Sequence, residues 1–270
     1  MNPTVGVVGA GRMGLPLIGH LVRKGFPCLA TDLDASRRVK VEERGATWSA
    51  DAVTLAAACE VVLVCVGYDH ELRELLHDPK LLSAARSGSI YAVLSTVQQK
   101  TVQDLAADCL KRNLHVVDAT MCRGGKAADE GTLLSFVGGA AAVVERLRPV
   151  LAAFSSDIVH IGGVGSAQVA KAVNNLIMWA CLVADHEGLA LAQRHGLDVE
   201  KLREALLLSS AANHALANWG SQTMAWAEDD MAIVAEMAAD TGVALPQAGV
   251  TREVCRALKP KRYKLEEYGR

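Results

Sequence analysis

The apolar positions of this chain follow two rhythms, and the change falls near residue 165. Before it, short apolar and β-branched runs alternate with stretches of helical period. Residues 5–8, 28–31, 61–66, 90–94 and 115–117 are such runs, the pattern of strands buried on both faces. Residues 133–137 and 158–161 predict later strands at a sheet edge. Between the first two runs, residues 15–24 have helical period and are closed by Gly25. Strand alternating with helix predicts a parallel sheet wrapped by helices.

Beyond residue 165 the strand runs stop. From Ser166 to Arg194 there is no proline, and Gly188 is the one glycine. Apolar residues cover most of the helical wheel there, which predicts one helix of roughly 40 Å, at ~1.5 Å per residue, buried on several sides. Residues 199–208, 229–241 and 247–258 predict further helices. The expected architecture is an α/β domain over residues 1–162 followed by an all-α domain over 163–270. A long helix that is apolar nearly all round needs more cover than so few further residues supply, which predicts a homodimer.

Composition narrows the partners and leaves that outline intact. The formal net charge is −2 and the basic residues are scattered, so there is no basic face for a nucleic acid. The one basic cluster, Lys259, Lys261, Arg262 and Lys264, is interleaved with Tyr263 and followed by Glu266 and Glu267, as in a solvated tail. No uninterrupted apolar run approaches the roughly 18–20 residues that cross a bilayer, and no basic leader precedes the first strand. The seven cysteines show no Cys-x-x-Cys pair and no metal-ligand spacing. They read as buried reduced thiols, which predicts a cytoplasmic protein without a metal site.

Gly9-Ala10-Gly11-Arg12-Met13-Gly14 lies between the first predicted strand and the first predicted helix. In that setting Gly9 permits a tight turn, Gly11 lets the backbone approach a pyrophosphate, and Gly14 lets helix pack on strand. The helix start, with Arg12 and Met13 beside it, offers backbone N–H groups and a partial positive charge to phosphates. This predicts a Rossmann dinucleotide-binding domain; the other reading is a glycine turn in an unrelated α/β fold. Asp32, at the end of the second predicted strand, suits ribose hydroxyls and repels a 2′-phosphate, which favours NAD over NADP. Arg37 and Arg38 reverse that preference if their loop folds back; otherwise they are surface residues of the next helix.

Two further segments carry chemistry. One is Asp118-Ala119-Thr120-Met121-Cys122-Arg123-Gly124-Gly125, followed by Gly131-Thr132-Leu133 and Gly138-Gly139. The other is Gly163-Val164-Gly165-Ser166-Ala167-Gln168-Val169-Ala170-Lys171-Ala172-Val173-Asn174-Asn175, continued by Glu187-Gly188-Leu189-Ala190. With the glycine loop, these segments resemble the β-hydroxyacid dehydrogenase family, of the 3-hydroxyisobutyrate dehydrogenase and tartronate semialdehyde reductase type. The resemblance covers nearly the whole chain, and the last segment is the most diagnostic.

The resemblance implies hydride transfer between NAD(P) and a small β-hydroxyacid or its semialdehyde, with Lys171 as acid/base. Oxidising an alcohol needs a base for the hydroxyl proton, and reduction needs the same group as an acid. Asn174 and Asn175 follow at three and four residues, on the same helical face, and Asn175 suits a hydrogen bond to substrate or lysine. The bland reading is a lysine snorkelling from a buried helix beside two asparagines bonded to backbone. Thr96, after Ser95, is implied to sit beside the nicotinamide. Cys122, Arg123, Gly124 and Asn174 are implied to meet the substrate.

Several positions depart from the family pattern. Cys122 stands where a serine is usual, and Arg123 where a glycine is usual. Pointing inward, Arg123 would clamp a carboxylate by a bidentate pair; pointing outward, it is a surface residue, and the inward orientation is the expectation. Val93 replaces an aspartate. Asp229-Asp230 replaces a Lys-Asp pair, which implies an altered substrate pocket, with His214, Trp219 and Trp226 as lining, core or interface. The related imine reductases generally lack the lysine, so that activity is the alternative within enzymes. A non-catalytic dinucleotide-binding protein is the alternative outside them.

Overall fold

The computed structural model describes residues 2–222, 224–259 and 263–269. Lys261 and Arg262 of the basic tail lie outside the described residues. Among the described residues one sheet contains β1 (Val5–Val8), β2 (Cys28–Thr31), β3 (Thr47–Trp48) and β4 (Val61–Val64). It continues with β5 (Ile90–Val93), β6 (His115–Cys122), β7 (Leu133–Gly138) and β8 (Ser155–Gly162). The intervening helices are α1 (Gly14–Arg23), α2 (Arg38–Glu42), α3 (Ala52–Ala58) and α4 (Asp69–His77). They continue as α5 (Pro79–Ala84), α6 (Gln99–Leu110), α7 (Gly124–Glu130) and α8 (Ala141–Leu151).

Side chains alternate across each strand, so every central strand feeds two cores. Leu63 and Ala92 pack with Leu17 and Ile18 of α1 and with Leu147 of α8. Val62, Val64 and Tyr91 pack on the opposite face with Leu55, Leu72 and Leu105. That double burial is why these strands read as unbroken apolar runs.

The strand order is β3-β2-β1-β4-β5-β6-β7-β8, and β6 and β7 run antiparallel while every other neighbouring pair is parallel. The sheet is thus parallel as expected, with β6 and β7 the one antiparallel pair. Strand β6 continues past the predicted 115–117 to Cys122. Its first half pairs with β5 and its second half with β7, and Asp118 stands at the junction, opposite both Val93 and Gly138. Strand β7 is interior, not an edge, because β8 covers it.

Helix α9 (Ser166–Arg194) has the predicted bounds. By internal contacts the chain divides into two compact units, 1–171 and 172–270, a division that falls inside α9. The start of the helix is bound to the sheet of the first unit. Asp118 accepts backbone hydrogen bonds from Gly165 at 2.8 Å, Ala167 at 2.8 Å and Gln168 at 3.1 Å.

The second unit holds the rest of α9 with α10 (Val199–Leu206), α11 (His214–Ala217), α12 (Ala227–Thr241) and α13 (Pro246–Leu258). Its core contains Trp179, Leu182, Met231, Val234 and Cys255. His186 is buried in it, with Nδ1 2.8 Å from the Leu182 carbonyl and Nε2 accepting from the Tyr263 N–H at 3.1 Å. The rings of Trp219 and Tyr263 pack on this imidazole, and burial pushes its pKa below the ordinary histidine value.

On α9, Val173, Ile177, Ala184 and Leu191 are exposed in the single chain, and their spacing places them in one narrow stripe at about 3.6 residues per turn. By length and composition alone, α9 is also the one helix among the described residues long and apolar enough to cross a membrane. The sequence expectation, based on uninterrupted runs, did not anticipate that.

Candidate active site

The glycine loop is built by close backbone approach. Gly9 has φ +98°, donates to the Thr31 carbonyl at 2.9 Å, and would place a β-carbon 2.3 Å from the Cys65 carbonyl oxygen. A β-carbon on Gly14 would lie 1.9 Å from the Gly9 oxygen. At Gly11 an added β-carbon meets nothing within 4 Å, so open space lies against the backbone there. The start of α1, at Met13, receives no side-chain cap and has no acidic residue in its first turn. Open space beside uncapped helix N–H groups fits a pyrophosphate.

Asp32 accepts from the Ala10 N–H at 2.7 Å and from the Asp34 N–H at 2.9 Å, so its carboxylate braces the loop it faces. Arg37 pairs with Asp34 at 3.3 Å and Arg38 with Glu42 at 2.8 Å. Both arginines are thus engaged on their own segment. The Arg12 guanidinium is held by both Asp129 oxygens at 2.8 and 2.7 Å, which keeps that carboxyl below the usual range. Arg12 therefore offers a phosphate its backbone, while its side chain ties the glycine loop to α7. His20 strengthens the same tie, with Nε2 3.0 Å from the Ala128 carbonyl.

Lys171 stands at the end of β6. Its Nζ donates to the Met121 carbonyl at 2.7 Å and lies 4.0 Å from the buried Cys122 Sγ. Asn174 donates from Nδ2 to Oδ1 of the buried Asn175 at 3.1 Å. Thr96 follows β5, half-buried, on a segment held by the Ser95 hydroxyl donating to the Val66 carbonyl at 2.8 Å.

Arg123 corrects the sequence expectation. It adopts a left-handed backbone with φ 82°, and Nη1 donates to Thr132 O, Ser156 Oγ and Asp157 Oδ2, the last at 2.7 Å. The guanidinium is thus fastened outward, to Thr132 and to Ser156 and Asp157 of β8, and not in the inward orientation expected. Gly124 follows with φ +75°. In the second unit, Asp229 is exposed and Asp230 accepts from the Trp179 indole at 2.9 Å. Trp219 belongs to that unit's core, while Trp226 is half-exposed. His214 opens α11, where its carbonyl accepts from the Asn218 side chain.

Sequence reasoning missed two residues. Asp118 was read as part of a substrate segment, yet its buried carboxylate caps α9. Gln168 was given no role, yet it is fully buried and both ends of its amide are bonded. The available signal was a lone amide among Ala167, Val169 and Ala170, because a polar group on an apolar helix needs partners.

The glycine-loop cradle between β1 and α1 marks a dinucleotide-binding domain, of the class found in nicotinamide-dependent oxidoreductases. Residues 4–162 match the NAD binding domain of 6-phosphogluconate dehydrogenase, and residues 165–267 match the domain described as NAD-binding of NADP-dependent 3-hydroxyisobutyrate dehydrogenase. The chain belongs to the β-hydroxyacid dehydrogenase family that includes 3-hydroxyisobutyrate dehydrogenase. It is 31% identical to the 3-hydroxyisobutyrate dehydrogenase of Pseudomonas aeruginosa, over 78% of this chain and 72% of that protein. It is 29% identical to the 2-(hydroxymethyl)glutarate dehydrogenase of Eubacterium barkeri, over 78% of this chain and 71% of that one. In fold it is similar to the Mycobacterium tuberculosis 3-hydroxyisobutyrate dehydrogenase solved with L-serine. The TM-score is 0.89 at 22% identity, covering 97% of this chain and 95% of that one.

Proposed function

We propose that this protein interconverts a small β-hydroxyacid and its semialdehyde, with Lys171 moving the proton. One observation carries the reading: the Lys171 Nζ is held 2.7 Å from the Met121 carbonyl at the end of β6, on the strand whose Asp118 fixes the start of its helix. When bound, the nicotinamide cofactor accepts or supplies the hydride. Lys171 takes the hydroxyl proton in oxidation and returns it in reduction. Asn175 orients the reacting hydroxyl. The backbone around Cys122 and Gly124 receives the carboxylate. Gly9, Gly11, Gly14 and the backbone of Arg12 and Met13 hold the pyrophosphate, and Thr96 borders the nicotinamide.

The names of the two relatives both describe a hydroxymethyl carbon next to a carbon bearing a carboxylate. That favours a primary alcohol β to a carboxylate as the substrate class. Asp32, with Arg37 and Arg38 paired locally, favours NAD over NADP. We assign residues 1–162 to the cofactor and to the backbone that meets the carboxylate, and residues 163–270 to Lys171 and to assembly. The exposed stripe of α9 serves as a subunit interface in a cytoplasmic homodimer, in preference to a lipid-facing surface, because polar Asn174, Asn175, Asp185 and His186 lie along the same helix. A monomeric mass by light scattering at micromolar concentration would overturn the dimer.

The deciding experiment follows oxidation of NADH and NADPH with short semialdehydes, 2-oxo acids and cyclic imines, with Lys171→Ala alongside. We expect turnover of a carboxylate-bearing aldehyde that falls by roughly 10²–10⁴-fold in the variant, with NADH affinity unchanged. Turnover of imines alone would make the protein an imine reductase. Cofactor binding without turnover of any substrate would make it a binding protein.

A further inference from the structure

Gln168 lies three residues before Lys171 on α9 and is completely buried. Its side-chain amide closes two hydrogen bonds at once. Nε2 donates to the Ser95 carbonyl at 3.0 Å, and Oε1 accepts from the Val97 N–H at 3.0 Å. Those two backbone groups flank Thr96, so the amide holds the peptide on both sides of that residue much as a neighbouring strand would. The backbone N–H of Gln168 donates to Asp118 on β6, and one turn later Lys171 donates to Met121 on the same strand. One turn of helix is thereby tied both to the segment after β5 and to the end of β6.

We propose that Gln168 is a positioning residue that fixes Thr96 relative to Lys171. The proposal rests on the reading of Lys171 as the acid/base. Two fixed partners, one bordering the nicotinamide and one handling the proton, define where the reacting carbon must lie. Displacement of about 1 Å at such a point costs on the order of 100-fold in rate. Leucine at this position fills similar space but bonds to neither Ser95 nor Val97, which removes both of the backbone bonds that flank Thr96.

The chemistry of the amide supplies a sharper variant. A protonated carboxyl repeats the pattern, its O–H donating to Ser95 and its C=O accepting from Val97. A carboxylate has no donor and turns a negative charge toward the Ser95 carbonyl. Gln168→Glu therefore holds the loop while protonated and releases it as pH rises, and burial moves that transition above the ordinary glutamate range.

The first measurement needs no cofactor: amide hydrogen exchange of the segment containing Val97, compared with the unmodified protein at each pH. Gln168→Leu should exchange faster at every pH, and Gln168→Glu should lose protection only as pH rises. Turnover should follow the same order, with kcat about 100-fold lower in Gln168→Leu, NADH affinity unchanged, and a larger isotope effect from NADH deuterated at C4. A folded Gln168→Leu with unmodified exchange and kcat would overturn the proposal. Parallel loss of NADH affinity and kcat would also overturn it, by making the amide merely structural. If the leucine variant fails to fold, the pH contrast in Gln168→Glu decides. Lys171→Ala with full activity would overturn the underlying reading instead, and the exchange data separate the two failures.

Discussion

Two helix starts in the first unit receive opposite treatment. At α1 no side chain caps the helix, no acid stands in its first turn, and a β-carbon on Gly11 would meet only open space. At α9 a buried carboxylate fills the equivalent place, with Asp118 accepting from three backbone N–H groups. Unpaired helix N–H groups attract an anion wherever they stand. Leaving them open suits a cofactor that comes and goes, whereas closing them with an internal carboxylate makes the helix a fixed mount. The difference teaches where to look for binding and where for positioning, although both places are helix starts on one sheet.

The contrast can be broken most forcefully at Asp118. Replacing it by alanine leaves three buried donors unpaired, and each costs roughly 1–3 kcal/mol. We expect a stability loss of about 3 kcal/mol in urea unfolding, because part of the penalty is offset by relieving a carboxylate whose pKa burial raises. Unchanged stability would mean that α9 does not depend on its cap. Gly11→Ala should act at the other start, weakening NADH binding by about 10–100-fold while leaving the melting temperature alone. Equal loss of both would show that this loop is structural, as Gly14 is.

A third test lies farther along α9, where both starts should be silent. Burial lowers the pKa of His186, so the unfolded chain takes up that proton more readily than the folded one. The stability contributed by the neutral imidazole is complete above about pH 6.5 and is lost as pH falls from there. Near-ultraviolet circular dichroism of the Trp219 cluster should report this loss, and a His186→Asn variant should lack the pH dependence. The smallest effect is expected at Cys122→Ser, which restores the residue usual in the family. Lys171 is anchored mainly by the Met121 carbonyl, so steady-state turnover should change by less than about threefold.

Much of this organisation was legible in the residues themselves. The bounds of β1, β2 and α9 follow from hydrophobic runs and from the absence of breakers, and the glycine spacing located the cradle. The second half of β6 was not legible, because Asp118 ends the apolar run, and the brief alternation of Asp118-Ala119-Thr120-Met121 suggests one wet face where all four residues are buried. Its antiparallel partner β7 arrives only after a helix, so no hairpin signal joins them. The direction of Arg123 was hidden because its acidic partner, Asp157, is 34 residues away in sequence. Gln168 was hidden because a single amide shows its partners only after the helix is docked on the sheet.

Arg123 shows how a position can change its residue without changing its shape. A left-handed backbone is steric strain for any residue with a β-carbon, costing roughly 1–2 kcal/mol, which accounts for the glycine that the family pattern has there. In this chain the strain is retained and set against a side chain spanning Thr132, Ser156 and Asp157. Arg123→Gly would remove both together, so the two effects nearly cancel in thermal stability. The same bend of the chain is thus reachable by two routes, an unstrained glycine turn or a strained turn stapled by its own side chain.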